Sequence, residues 1–206
     1  MNAHRSPHPT SVALFGTSAD PPTIGHRAVL KALADRYPLV ATWASDNPLK
    51  DHGAPLAIRA ELLSRVVQDL ADPRVALVQD LSSPWAIDTL ASAAQHWPGA
   101  ALVLVVGSDL LAQIPRWRAA DRLLPQLRLA VIPRRGWPLQ AEDLETLRRL
   151  GARVDILPLT IEATASSTIR DHRAQGAEAI AQIPAAIRAT LLQHRLYGSN
   201  DAPQRP

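Results

Sequence analysis

The 206-residue chain has no cysteine, which excludes disulfides and thiolate metal sites. Aromatic residues are scarce, at 4%, and no dense Lys/Arg block is interleaved with them, so a nucleic-acid surface is not indicated. No apolar run approaches the length of a membrane span. The N-terminus lacks the charged-then-apolar pattern of a secretory signal. Neither sign of charge dominates, with 22 basic against 19 acidic residues and a net charge of +3. Arginine greatly outnumbers lysine, and most arginines read as a solvated surface, which leaves small anions as fitting partners. These absences point to a cytoplasmic protein with neither a nucleic-acid nor a membrane partner.

What is present is ordinary for a globular protein, with 47% apolar and 20% charged residues. The length suits one domain with a sizeable core. Polar, proline-containing ends read as loose tails over 1–11 and 199–206, flanking a single domain over 12–198. Apolar runs at 12–15, 39–44, 75–78, 101–106, 127–132 and 154–157 predict strands. Helical patterns follow at 25–37, 56–70, 86–96, 109–124, 141–150, 167–173 and 184–194. This alternation predicts a doubly wound, mostly parallel α/β sheet with helices on both faces, a Rossmann-like arrangement.

Such sheets bind ligands beyond the carboxyl ends of their strands, so polar residues just after each strand are the candidates. The first strand leads through Gly16, Thr17 and Ser18 to Thr23, Gly25 and His26, where a helix begins with Val29, Leu30 and Leu33 on one face. A strand, a tight turn and a helix N-terminus gather N–H groups and a dipole around a volume that suits phosphate. His26 adds a titratable donor there. Lys50 follows the second strand, and Asp88 and Thr89 lie beyond the third. Gly107 and Asp109 follow the fourth, where a carboxylate can accept from ribose hydroxyls. Arg134 follows the fifth, and Ser166, Ser167 and Arg170 follow the sixth. No His/carboxylate cluster at metal-ligand spacing is present. Convergence on one rim is the main signal.

The order of these elements resembles the HxGH/TxGH nucleotidylyltransferases, and within them the bacterial nicotinate-mononucleotide adenylyltransferases. The Gly-x-x-x-Asp-Pro-x-[His/Thr]-x-Gly-His signature stands at 16–26. A proline-and-lysine loop is echoed by Asn47-Pro48-Leu49-Lys50, with a downstream arginine at Arg59. Further matches are Trp85-Ala86-Ile87-Asp88-Thr89-Leu90, Gly107-Ser108-Asp109 with Trp117, Ser166-Ser167-Thr168-Ile169-Arg170, and the ending Leu196-Tyr197-Gly198. Departures are Thr17, Ala19, Thr23 in place of the first His, Leu49, Thr164-Ala165, and Pro84-Trp85-Ala86 where the family has Ser-Tyr-Thr.

The resemblance implies attack of a mononucleotide phosphate on the α-phosphorus of ATP, with nicotinate mononucleotide as acceptor, in NAD synthesis. It implies catalytic roles for His26, Thr23 as a hydroxyl donor, Lys50 and Arg170. ATP and its phosphates would be held by Gly16, Thr17, Ser18, Gly25, Gly107, Asp109, Ser166, Ser167 and Arg134. Asp88, Thr89 and Trp117 would meet the acceptor, Trp117 by stacking on its pyridine ring. Mg²⁺ would bridge substrate phosphates, with no protein carboxylate cluster required. Thr23 keeps nicotinamide mononucleotide and phosphopantetheine open as acceptors, and a nucleotide-binding module without turnover is the reading from another class. A homo-oligomer is left open.

Overall fold

Alternating apolar residues along the central strands decide which helices lie on which face of the sheet. In a computed structural model, residues 9–47, 50–159 and 181–196 are described. The strands are β1 (Ser11–Thr17), β2 (Leu39–Ala44), β3 (Val75–Leu77), β4 (Ala101–Gly107), β5 (Arg128–Ile132) and β6 (Arg153–Ile156). They form one sheet in the order β3-β2-β1-β4-β5-β6, with every pairing parallel. The helices are α1 (Ile24–Ala34), α2 (Leu56–Leu70), α3 (Ala86–His96), α4 (Ala120–Leu123), α5 (Ala141–Arg149) and α6 (Ala185–Gln193).

Ala13 and Phe15 of β1, Val103 and Val105 of β4, and Ala130 and Ile132 of β5 point to one face. There they meet Leu30 and Leu33 of α1, Leu62 and Leu63 of α2, and Ile187 and Leu191 of α6. The intervening residues Val12, Leu14, Leu104, Val106, Leu129 and Val131 point the other way, onto Leu90 of α3, Leu123 of α4 and Leu147 of α5. Two cores on one sheet follow from the period-2 geometry of strands buried on both sides. Each fully buried Leu or Ile contributes roughly 1.5–3 kcal/mol relative to exposure.

The strand order reverses between β1 and β4. A crevice opens at such a switch point, beyond the strands' carboxyl ends. The site forms there.

The strand and helix pattern agrees with the sequence reading, with one substantial correction. The helix predicted over 109–124 is broken into the 3₁₀ turns Ser108–Leu110 and Ile114–Arg116 and the short α4. Pro115 cannot supply an N–H to a longer helix, and Ala119 adopts a left-handed φ of 56°. The apolar periodicity was nevertheless a sound guide to burial, since Leu111, Ile114, Leu123 and Leu124 are all in the core. At the N-terminus, Ser11 already belongs to β1 and the Thr10 carbonyl accepts from Ala101 N at 3.0 Å, so order reaches into the predicted tail. The helix predicted over 167–173 and the tail 199–206 lie outside the described residues.

Candidate active site

One residue before its end, β1 has no room for a side chain. A Cβ on Gly16 would lie 2.6 Å from the ring of Trp43, its register partner on β2. Beyond it, Ala19 takes a left-handed φ of 48° and its N–H donates to Thr17 Oγ1 at 3.3 Å. A non-glycine residue in this region costs on the order of 1–2 kcal/mol, and such strain clusters at functional sites.

The turn delivers the chain to Thr23, which caps α1. Its Oγ1 accepts from His26 N at 3.3 Å, and its own backbone N–H donates to His26 Nδ1 at 3.0 Å. The Thr23 hydroxyl also lies 2.8 Å from that nitrogen. This is a capping box with histidine in the place usually taken by Glu or Gln. A nitrogen that accepts a backbone N–H carries no proton, so the ring proton resides on Nε2. Burial, and then the positive charge of Arg134, lower the His26 pKa to about 4. At neutral pH the ring is therefore an uncharged donor lining the cleft. Thr23, fully buried, spends its hydroxyl on orienting that ring.

Arg59 of α2 ties the loops after β1 and β2 to one another. It is 1% exposed and donates from Nη1 to Ser18 O and Ser45 O, both at 2.7 Å, and from Nε to Ala54 O at 2.9 Å. Nη2 reaches Asp46 Oδ1 at 2.8 Å. Asp20, also buried, accepts from Gly53 N at 2.6 Å. The sequence marked Arg59 only as the arginine downstream of the proline-and-lysine loop and gave it no role. A usable signal existed: Arg59, Leu62, Leu63 and Val66 share the i, i+3, i+4, i+7 face of a helix, and all four are buried. Lys50 stands exposed on the tied loop and lines the cleft.

The β4 and β5 ends form the next part of the wall. A Cβ on Gly107 would lie 2.3 Å from Asp109 Oδ1 and 2.8 Å from Arg134 Cδ. Arg134 Nη1 donates to Asp109 Oδ2 at 2.9 Å, which leaves the buried Oδ1 without a partner. Ser108, between them, accepts from Arg134 N at 2.9 Å and donates to Trp137 O at 2.7 Å. A carboxylate held on one oxygen and unpartnered on the other keeps one acceptor position unsatisfied beside the cleft.

The cleft enclosed by these elements has a volume of about 940 Å³. It brings together Gly16, Thr17, Ser18, Thr23, Gly25, His26, Lys50, Thr89, Gly107, Asp109, Trp117 and Arg134. Thr89 turns its hydroxyl away, donating to Leu81 O at 2.9 Å. Asp88 stands exposed in the first turn of α3, outside the lining of the cleft. Ser166, Ser167 and Arg170 lie outside the described residues. Trp137, Arg116 and Arg118, which the sequence reading did not place in the site, also line the cleft, as does Trp85 from the segment that stands in place of the Ser-Tyr-Thr element. Among the described residues there is no group of three or more His, Cys, Asp or Glu side chains able to hold a metal ion. None of the described helices is long and apolar enough to cross a membrane.

This arrangement can be set beside known proteins. A protein-family model described as cytidylyltransferase-like matches residues 14–173, which takes in every part of the cleft described above. The chain is 40% identical over 158 residues to the "Probable nicotinate-nucleotide adenylyltransferase" of Synechocystis sp., spanning 71% of this chain and 78% of that one. It is 29% identical over 195 residues to the protein of the same name from Gemmatimonas aurantiaca, spanning 90% and 92%. Its fold is that of the Plasmodium falciparum nicotinic acid mononucleotide adenylyltransferase complexed with NaAD, with a TM-score of 0.75 at 16% identity over 91% of this chain and 97% of that one. Sequence likeness along most of the chain and the switch-point cleft lead to the same assignment: the chain belongs to the nicotinate-nucleotide adenylyltransferase family, within the cytidylyltransferase-like proteins.

Proposed function

We propose that this protein transfers the adenylyl group of ATP to nicotinate mononucleotide, forming nicotinate adenine dinucleotide and pyrophosphate, as a cytoplasmic step of NAD synthesis. The observation that carries this reading is His26. Its ring is locked by the Thr23 cap with one N–H left for the cleft, at the turn where β1 meets α1. A neutral donor held in fixed geometry suits an oxygen on which charge accumulates as the reaction proceeds.

An oxygen of the acceptor's 5′-phosphate attacks the α-phosphorus, and the bond from that phosphorus to the bridging oxygen of pyrophosphate breaks. The nucleophile is already ionised at neutral pH, so no general base is required. Positioning and charge stabilisation supply the catalysis. His26 Nε2–H donates to a phosphate oxygen, with the ring aimed by Thr23. Lys50 and Arg170 offset phosphate charge, and Ser166 and Ser167 donate to the same phosphates. Asp109 accepts from a ribose hydroxyl, with Arg134 holding its carboxylate in place. Gly16, Thr17, Ser18, Gly25 and Gly107 give the phosphates close access to backbone. Mg²⁺ brought in with ATP would supply further charge stabilisation on the phosphates, with no protein carboxylate cluster assigned to hold it. Trp117 stacks on the pyridine ring.

The test is pyrophosphate release from ATP and Mg²⁺ with nicotinate mononucleotide, comparing wild type with His26→Ala. Loss of one preorganised donor of this kind lowers turnover by about 10²–10³-fold. A folded His26→Ala protein with wild-type turnover sinks the mechanism.

A further inference from the structure

The break in the predicted helix has a chemical consequence. The 3₁₀ turn Ile114–Arg116 ends at Trp117, whose backbone is extended (φ −66°, ψ 150°), and Ala119 beyond it is left-handed. In a continuous helix, Arg116, Trp117 and Arg118 would fan through roughly 200°. Here all three line the cleft. Across from them, Trp85 comes from the loop before α3 and is 40% exposed. The guanidinium carbon of Arg118 sits 5.4 Å from the centre of the Trp85 ring, within cation–π range.

No carboxylate pairs with Arg118 among the described residues. A guanidinium held against an aromatic face, next to a second tryptophan, suits a flat ring bearing an anionic substituent. Adenine carries none. A pyridine joined to ribose through its nitrogen is a cationic ring in both the nicotinate and the nicotinamide forms. Only the nicotinate form adds a carboxylate. Arg118 can therefore attract one form and repel the other, and discrimination that pairs an attractive with a repulsive element is the effective kind.

We infer that Arg118, steadied by Trp85, is the residue with which this protein distinguishes a nicotinate from a nicotinamide mononucleotide. The inference rests on the reaction proposed above. It also gives a use to the segment 84–86, where this chain departs from the Ser-Tyr-Thr element of the family it resembles. Arg118 is a specificity residue here, and the phosphate chemistry does not pass through it.

The experiment compares wild type, Arg118→Met and Arg118→Lys with both acceptors, measuring kcat/KM by pyrophosphate release. Binding of each acceptor without ATP is followed in parallel by tryptophan fluorescence. Arg118→Met should lower kcat/KM for the nicotinate acceptor by about tenfold to a hundredfold, mostly through KM, as expected for loss of a charge-assisted contact. It should raise the value for the nicotinamide acceptor, because a repelling charge has gone. Arg118→Lys should recover part of the preference, since it keeps the charge but not the planar fork. An acceptor preference in Arg118→Met within about twofold of wild type, well short of the roughly tenfold change expected for such a contact, overturns the inference. So does an equal loss with both acceptors. Wild-type protein that releases no pyrophosphate with either acceptor defeats the proposed reaction instead. The two binding constants then judge Arg118 alone: a preference that moves with its charge supports the inference, and an unmoved one overturns it.

Discussion

The two sides of the cleft are built by different means. On the β1–β2 side, side chains are spent on holding backbone: Arg59 grips three carbonyls, Asp20 holds Gly53 N, and Thr23 holds His26. On the side formed by residues 84–86 and 116–118, exposed Trp85, Arg116 and Arg118 and half-buried Trp117 stand at or next to helix ends, with one cation–π contact joining Trp85 and Arg118. Electrostatic catalysis on phosphate needs donors fixed before substrate arrives. Recognition of one substituent on a ring needs shape and charge, which a looser frame can supply. Substitutions on the first side should therefore reduce folding and kcat together, and those on the second should act on KM.

The strongest way to break this contrast is Arg59→Met. It strands the carbonyls of Ser18, Ser45 and Ala54 where the guanidinium had satisfied them, at a residue 1% exposed. Buried polar groups left unpaired cost roughly 1–3 kcal/mol each, and removing one partner of a buried charged contact typically costs about 3–5 kcal/mol in all. Urea unfolding should show a loss of that size, and the surviving folded fraction should have a reduced kcat. A near-wild-type midpoint with only KM altered would erase the distinction between the two sides.

A smaller effect lies in the pH dependence of folding. His26 has its pKa lowered from 6.5 to about 4 by burial and by Arg134. Between those values the unfolded chain binds a proton that the folded one rejects. The stability from keeping the ring neutral is full above about pH 6.5 and is lost as pH falls through the folded pKa, an effect of about 3 kcal/mol. Urea titrations of wild type and His26→Ala at pH 7, 5.5 and 4.5 isolate it. The wild-type protein should lose stability relative to the variant as pH drops. A difference independent of pH would show that the ring is not held neutral by its surroundings.

How much of this was legible beforehand depended on the range of the interaction. The helices Leu56–Leu70 and Ala86–His96 and the strand Leu39–Ala44 match their predicted bounds, because apolar periodicity is written in neighbouring residues. Pro115 was a local warning against a helix over 109–124, but the left-handed Ala119 carried none. The rule that polar residues after each strand converge on one rim anticipated that Gly16, His26, Lys50, Asp109 and Arg134 would line one cleft, since topology alone brings those ends together. It could not foresee that Arg134 would pair with Asp109 or that Arg59 would bridge two loops, because contacts over 25 and 41 residues leave no local pattern. Nor could it tell which residue of a helical first turn faces inward. Thr89 does, and Asp88 does not.

The weakest perturbation of folding sharpens the comparison most, because it separates recognition from stability. Trp85 precedes α3 without capping it and is 40% exposed, so Trp85→Ala should change stability by no more than about 0.5 kcal/mol. The same change removes the aromatic face beneath Arg118. A freed guanidinium samples more positions, and the acceptor must order it on binding, at a cost of roughly 0.5–1.5 kcal/mol for a rotamer-rich side chain. KM for the nicotinate acceptor should rise by about threefold to tenfold while kcat and the KM for ATP hold. His26 and Lys50, proposed to position phosphate, follow β1 and β2, on other elements than the one that carries Trp85. If Trp85→Ala instead lowered kcat without moving the acceptor KM, the aromatic side would belong to the phosphate machinery, and the division between a rigid catalytic wall and a looser recognition wall would fall.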